Sequence, residues 1–194
     1  MIKNSLRIIG LLIMALLLNL HGSKPAEAQP VVTSQYYCLM DSKSGQLLTG
    51  KNMHMPRPVA STTKMMTAIL TMDYAGLNEI ASVSPHADKT AEYTIGLRAG
   101  QTLPLHELMK AALICSANDA AVVLAEHVAG DEALFAHLMS CKAFLIGATS
   151  THFVNASGLP ADNHYSTAYD LAQIGRYALT YPTIKETVGT VQTE

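Results

Sequence analysis

Between Pro58 and Ala68 the chain reads PVASTTKMMTA, and no other stretch restricts the fold as strongly. Pro56 and Pro58 interrupt the chain. From Thr62 an apolar run through Met65, Met66, Ile69, Leu70 and Met72 then keeps helical spacing up to a stop at Gly76. Apolar residues cover most of the helix circumference, which predicts a buried helix. The exception is a polar stripe at helical spacing, Ser61, Lys64, Thr67 or Ala68, and Thr71, and a polar stripe on a buried helix implies a cleft.

Ser61 and Lys64 stand three residues apart and so share one face. A serine before a helix is most often an N-cap, and a lysine three residues on is most often solvated. Two details argue otherwise here. A capping box would carry Glu or Gln at the position of Lys64, and a first-turn lysine opposes the helix dipole by a few tenths to about 1 kcal/mol. Desolvation and dipole together would favour the neutral amine, and a neutral amine beside a serine hydroxyl is a general base next to a nucleophile. Backbone amides at the same helix start can form part of an oxyanion hole.

Of the 194 residues, 49% are hydrophobic and 14% charged, with a formal net charge of -2. That suffices for one domain with a sizeable core and gives no basic excess that would select nucleic acid. Lys3 and Arg7, the short apolar run Ile8 to Leu20, and Ala26-Glu27-Ala28 together read as a signal peptide over Met1 to Ala28. The apolar run is shorter than the roughly 20 residues of a spanning helix, so an exported mature chain from Gln29 is expected. Cys38, Cys115 and Cys141 match no zinc spacing and are expected as small buried hydrophobes, with a Cys38–Cys141 or Cys38–Cys115 disulfide as the alternative.

Along the mature chain, Gln35 to Met40 and Gln46 to Thr49 read as a hairpin about the turn Asp41 to Gly45. Leu77 to Leu103 reads as a loop-rich crossover with a strand-like piece at Ile80 to Ser84. Leu105, Leu108, Met109, Ala112 and Leu113 define a helix that runs into Ser116-Ala117-Asn118-Asp119, a cluster suited to caps and corners. A second apolar helix follows over Ala120 to Ala129. A third starts near Asp131 and is expected to bury Leu134, Leu138, Cys141 and Leu145 before Gly147. A last helix, capped by Ser166 or Thr167, carries Leu171, Ile174 and Ala178 and ends before Pro182. His106-Glu107 lacks the second histidine of a zinc peptidase, and the eight histidines are expected on the surface or as ordinary core residues, with no metal site.

Four blocks in order, VASTTKMMTA at Val59 to Ala68, LICSANDAAVVLAE at Leu113 to Glu126, THFVNASGLP at Thr151 to Pro160 and HYSTAYDLA at His164 to Ala172, resemble the serine-type D-alanyl-D-alanine carboxypeptidases, low-molecular-mass penicillin-binding proteins. S-x-x-K followed by an S-x-N element is part of that signature. The resemblance implies Ser61 as acylated nucleophile, Lys64 as general base, Ser116 as proton relay and Asn118 as a holder of the substrate peptide. It further implies peptidoglycan stem peptides ending in D-Ala-D-Ala as substrate, β-lactams as acylating inhibitors, no cofactor, and an extracytoplasmic site of action.

The implied fold is mixed α/β, β-lactamase/transpeptidase-like, with a helical subdomain and an incomplete antiparallel sheet. The family's third element, Lys-Thr-Gly on a later strand, does not occur before Glu194, and Lys89-Thr90-Ala91 precedes Ser116 and so has the wrong order. Residues 29–194 are therefore expected to be a partial catalytic domain lacking that strand and poorly active or inactive by itself. Peripheral membrane association is expected only of a longer form carrying the family's amphipathic tail. The alternatives are a class A β-lactamase-like hydrolase, for which no deacylating Glu is placed and Ala117 stands where Asp is usual, and a non-catalytic wall-binding remnant.

Overall fold

The computed structural model of the protein describes residues 32–191, and the unit discussed below begins at Gln35. The expected signal peptide, Met1 to Ala28, lies outside the described residues. Strands β1 (Tyr37–Met40) and β2 (Leu47–Lys51) form the predicted hairpin, antiparallel with Leu39 opposite Thr49 and a bulge beyond it. Its turn is fixed by Asp41, whose carboxylate accepts from the Ser44 amide and hydroxyl. Gly45 suits this turn because its backbone is left-handed at φ 75°, and a Cβ there would lie 3.2 Å from the Arg176 guanidinium, which would have to shift slightly.

A 3-10 turn over Ser61–Thr63 leads into helix α1 (Lys64–Tyr74). As predicted, α1 is buried on most sides, through Met66, Ala68, Ile69 and Leu70. The Leu77–Leu103 segment is more ordered than its composition suggests. Strands β3 (Ile80–Ser82) and β4 (Thr102–Pro104) pair antiparallel across it, and Pro85–Asp88 forms a one-turn helix α2, N-capped by the Ser84 hydroxyl. Three-residue strands carry too short an alternation to be read from sequence.

Helix α3 (Leu105–Ile114) ends at Cys115, and α4 (Asn118–Ala129) follows directly. Every residue of α4 from Asn118 to Ala125 is buried, and α4 packs against α1, α2, α3, β3 and the next helix, α5 (Glu132–Leu145). Its alanines, Ala120, Ala121 and Ala125, let these neighbours approach, while Val123 and Leu124 each contribute about 1.5–3 kcal/mol of burial. Gly130, at φ 77°, terminates it in the left-handed conformation.

Two expectations need correction here. On α5 the core side chains are Phe135, Ala136, Met139 and Ala143, whereas Leu134 and Leu145 are exposed, Cys141 is exposed and Leu138 is only partly buried. EALFAHLMSCKAFL is apolar nearly all round, so its period does not select a face; the fit of Phe135 and Met139 into the shared core does. The cysteines also depart from expectation: all three are free thiols, Cys115 and Cys141 exposed and Cys38 half-buried. Helix α6 (Ala168–Ala178), N-capped by Thr167, matches the last predicted helix, but a further helix α7 (Pro182–Val188) starts at the proline expected to end the pattern. Proline at the first helical position lacks only an amide that would be unpaired anyway. Among the described residues the architecture is seven helices with two two-stranded antiparallel ladders, the mixed α/β arrangement with an incomplete sheet expected from sequence.

Candidate active site

Four residues singled out in the sequence meet at the N-terminus of α1. Ser61 is exposed on the 3-10 turn, and its hydroxyl caps nothing, so the N-cap reading of this serine does not apply. Lys64, one turn on, is buried at 2% exposure. Its Nζ lies 3.2 Å from Ser61 Oγ, 3.5 Å from Ser116 Oγ, 2.6 Å from Asn118 Oδ1 and 2.7 Å from the Ser157 carbonyl oxygen. Among the described residues it has no carboxylate partner, and burial pushes its pKa down from 10.5 to about 8.

The partners of Lys64 differ in kind. Asn118 donates from Nδ2 to the carbonyls of Ala91 and Glu92, which leaves Oδ1 as the face turned to Lys64. Asn118 Oδ1 and the Ser157 carbonyl can only accept. A neutral amine has two N–H bonds and one lone pair; these two acceptors take the N–H bonds, and the lone pair is left for a hydroxyl proton. Ser61 Oγ, at 3.2 Å, supplies it. The arrangement can therefore deprotonate Ser61 without a histidine or a metal.

Ser116 reaches this cluster by an unusual backbone conformation. It lies between α3 and α4 at φ 59°, left-handed, with the Ala117 amide donating to the Ala111 carbonyl. Glycine usually occupies such a position; here a side chain is kept and its hydroxyl faces Lys64.

Of the polar stripe, Lys64 and Thr67 face the segment 156–157, Thr71 is buried and turns back into the helix, and only Ser61 lines the cavity that opens over it. Thr67 donates to the Ala156 carbonyl at 2.7 Å and Lys64 to that of Ser157, while Thr71 donates back to Thr67 within the helix. Asn155 holds the tight turn that presents Ser157: its Oδ1 accepts from the Gly158 amide at 2.7 Å, and its Nδ2 donates to the Leu159 carbonyl. The contribution of Ser157 was not legible in the sequence, because a backbone carbonyl has no residue signature.

A cavity of about 370 Å³ opens over Ser61, walled by Val59, Tyr93, Asn118, Gly158, Leu159 and His164. Tyr93 and Glu92 sit at positive φ, fixed by donation from the Asn118 amide to the Tyr93 carbonyl. Asp119, buried, secures the loop just beyond by accepting from the amides of Ile95 and Leu97. A larger cavity, about 730 Å³ between α3 and α7, involves neither Ser61 nor Lys64. His164 falls within the histidine expectation as a core residue. It is buried in the cavity wall, with both ring nitrogens engaged. Among the described residues no group of His, Cys, Asp or Glu is arranged to hold a metal.

Residues 23–194 match the peptidase S11 family, described as D-alanyl-D-alanine carboxypeptidase. D-alanyl-D-alanine carboxypeptidase DacB2 of Mycobacterium tuberculosis is 37% identical over 164 residues, covering 83% of this chain and 55% of the relative. D-alanyl-D-alanine carboxypeptidase DacF of Bacillus subtilis is 34% identical over 159 residues, covering 79% of this chain and 41% of the relative. The chain thus spans about half the length of these curated relatives. A crystal structure of a D-alanyl-D-alanine carboxypeptidase from Mycobacterium tuberculosis aligns with a TM-score of 0.80 at 30% identity, over 87% of this chain and 65% of that one. A Streptomyces DD-transpeptidase shares the fold at 24% identity and a TM-score of 0.79, over 84% of this chain and 67% of its own.

Proposed function

The chain belongs to the D-alanyl-D-alanine carboxypeptidase family, peptidase family S11, and we propose on that premise that it carries the acylating machinery of a serine D-Ala-D-Ala carboxypeptidase. The substrate is a peptidoglycan stem peptide, and the place of action is outside the cytoplasm, where that polymer lies. The observation that carries the reading is the buried, carboxylate-free Lys64 amine 3.2 Å from Ser61 Oγ with two of its positions held by Asn118 and Ser157.

Lys64 accepts the Ser61 proton as Oγ attacks the carbonyl of the penultimate D-alanine, giving a tetrahedral oxyanion. The Ser61 amide, in the first turn before α1, stabilises that charge. The resulting ammonium passes its proton through Ser116 Oγ, 3.5 Å away, to the departing D-alanine nitrogen as the C–N bond breaks. Water then attacks the Ser61 ester, gives up a proton to the neutral amine of Lys64, and releases the shortened peptide. Asn118 keeps its Nδ2 on the 91–92 loop and its oxygen on Lys64, so it orders the wall against which the substrate peptide lies. A β-lactam enters the same first step and leaves Ser61 acylated.

Intact-mass spectrometry after incubation with benzylpenicillin tests the reading. A stable adduct of one penicillin, absent in Ser61→Ala, is expected. Rapid penicillin turnover with no lasting adduct would favour the β-lactamase-like alternative, and no adduct with no turnover would favour the non-catalytic remnant.

A further inference from the structure

The buried imidazole of His164 is not used by the mechanism above, yet it lies in the cavity wall beside the nucleophile. The Val154 amide donates to its Nδ1 at 3.1 Å, so that nitrogen carries no proton. The ring proton is then on Nε2, which faces Thr63 Oγ1 at 2.8 Å. Thr63, buried in the turn between Ser61 and Lys64, donates its own hydroxyl hydrogen bond to the Val59 carbonyl at 3.4 Å. The result is a directional chain: Val154 N–H to His164, His164 N–H to Thr63, Thr63 O–H to Val59. It ties the 153–164 segment to the backbone two residues before Ser61. Phe153 meets the ring edge-on at 5.6 Å and restricts its rotation.

We propose that His164 is a positioning residue, whose Nε2–H, acting through Thr63, holds the Ser61 turn at the distance from Lys64 that acylation needs. Protonating the ring would set an Nδ1–H against the Val154 N–H, so geometry alone disfavours the imidazolium; burial, and secondarily nearby His152, act in the same direction. This inference rests on Ser61 being the nucleophile, but its geometric core does not.

Two measurements test it. The first uses the full chain with histidine-selective 15N labelling at pH 8. The Nε2–H tautomer of His164 is expected, retained in Ser61→Ala and perturbed in Thr63→Val; an Nδ1–H tautomer overturns the proposal whether or not the protein reacts with penicillin. The second is the rate constant of benzylpenicillin acylation. His164→Gln can still place an N–H donor near Thr63, whereas His164→Asn places its amide near Val154 and leaves Thr63 without a donor. His164→Asn and Thr63→Val should slow acylation roughly tenfold to a hundredfold, and Thr63→Ser and His164→Gln should recover most of the rate. Equal rates for His164→Gln and His164→Asn at matched thermal midpoints, or an unaffected Thr63→Val, would sink the positioning role. A wild-type chain that forms no adduct would instead refute the nucleophile reading, and the tautomer measurement would then decide for or against the geometry.

Discussion

Gly158 faces Ala60 so closely that a methyl group on it would lie 2.0 Å from the Ala60 carbonyl oxygen and 2.5 Å from its carbon. Both neighbours are backbone, so nothing flexible can yield, and Gly158 is also at φ 86°. Ala60 is the residue before Ser61, so this contact sets how far the Ser61 turn stands from the loop presenting Ser157. Gly158→Ala should therefore displace the turn. A loss of at least about 2 kcal/mol in unfolding free energy is expected from the left-handed strain plus overpacking, with acylation falling further than stability accounts for. Urea unfolding and the penicillin acylation rate, measured on the same preparation, check this; a variant of wild-type stability would show that the contact relaxes at no cost.

The depressed pKa of Lys64 fixes a pH profile. Below about pH 8 the amine is protonated and its lone pair is lost, so the acylation rate should rise with pH along a limb centred near 8. Lys64→Arg, which stays charged, should lose that limb together with acylation, by roughly a hundredfold or more. Stability has its own sign. The folded pKa is below the ordinary lysine value of 10.5, so the unfolded chain binds the extra proton between pH 8 and 10.5. The penalty for burying Lys64 is complete below pH 8 and relieved as pH rises to 10.5, by about 3 kcal/mol at the limit. Unfolding free energies of wild type and Lys64→Gln across that window should diverge accordingly; parallel curves would mean that the amine is not desolvated.

Ser61 and Lys64 were legible because helical spacing puts them on one face, whereas Ser116 and Asn118, which by themselves read as an ordinary helix corner, were legible only through the ordered S-x-x-K and S-x-N blocks and the resemblance these carry. What escaped has a common physical cause. Ser157 acts through its carbonyl and Gly158 through an absent side chain. Thr63 and His164 meet across 101 positions of sequence. None of these leaves a periodic or compositional trace. The face of α5 was misjudged for the opposite reason: leucine, phenylalanine, methionine and alanine surround it, and only the shape of the neighbouring helices selects Phe135 and Met139 over Leu134 and Leu145.

Asp119 offers a test of the cavity wall that leaves the reacting groups in place. Its carboxylate accepts from the amides of Ile95, Leu97 and Ala120, at 3.2, 3.0 and 2.9 Å respectively, while only 2% exposed. Asp119→Ala orphans these donors, and a loss of about 2–4 kcal/mol is expected. Asp119→Asn keeps the shape but turns an acceptor-only group into one that also donates, with a smaller loss. Hydrogen exchange should speed up first at Ile95 and Leu97, ahead of α4 itself. Exchange that accelerates uniformly would place Asp119 in the core rather than in control of the loop.

Ser116 separates the stability of the corner from its chemistry. A non-glycine residue at φ 59° carries about 1 kcal/mol or more of strain that glycine would not. Ser116→Gly should therefore be more stable than Ser116→Ala by about 1 kcal/mol. Both lack the hydroxyl 3.5 Å from Lys64 Nζ, so both should acylate more slowly than wild type by a similar factor. Hydrolysis of a D-Ala-D-Ala peptide should fall more than acylation by a β-lactam, because the unstrained peptide depends on protonation of its leaving nitrogen for C–N cleavage, whereas relief of ring strain helps to open the lactam. Two variants of equal stability would argue against strain at this corner, and a glycine variant reacting at the wild-type rate would remove Ser116 from the proton path.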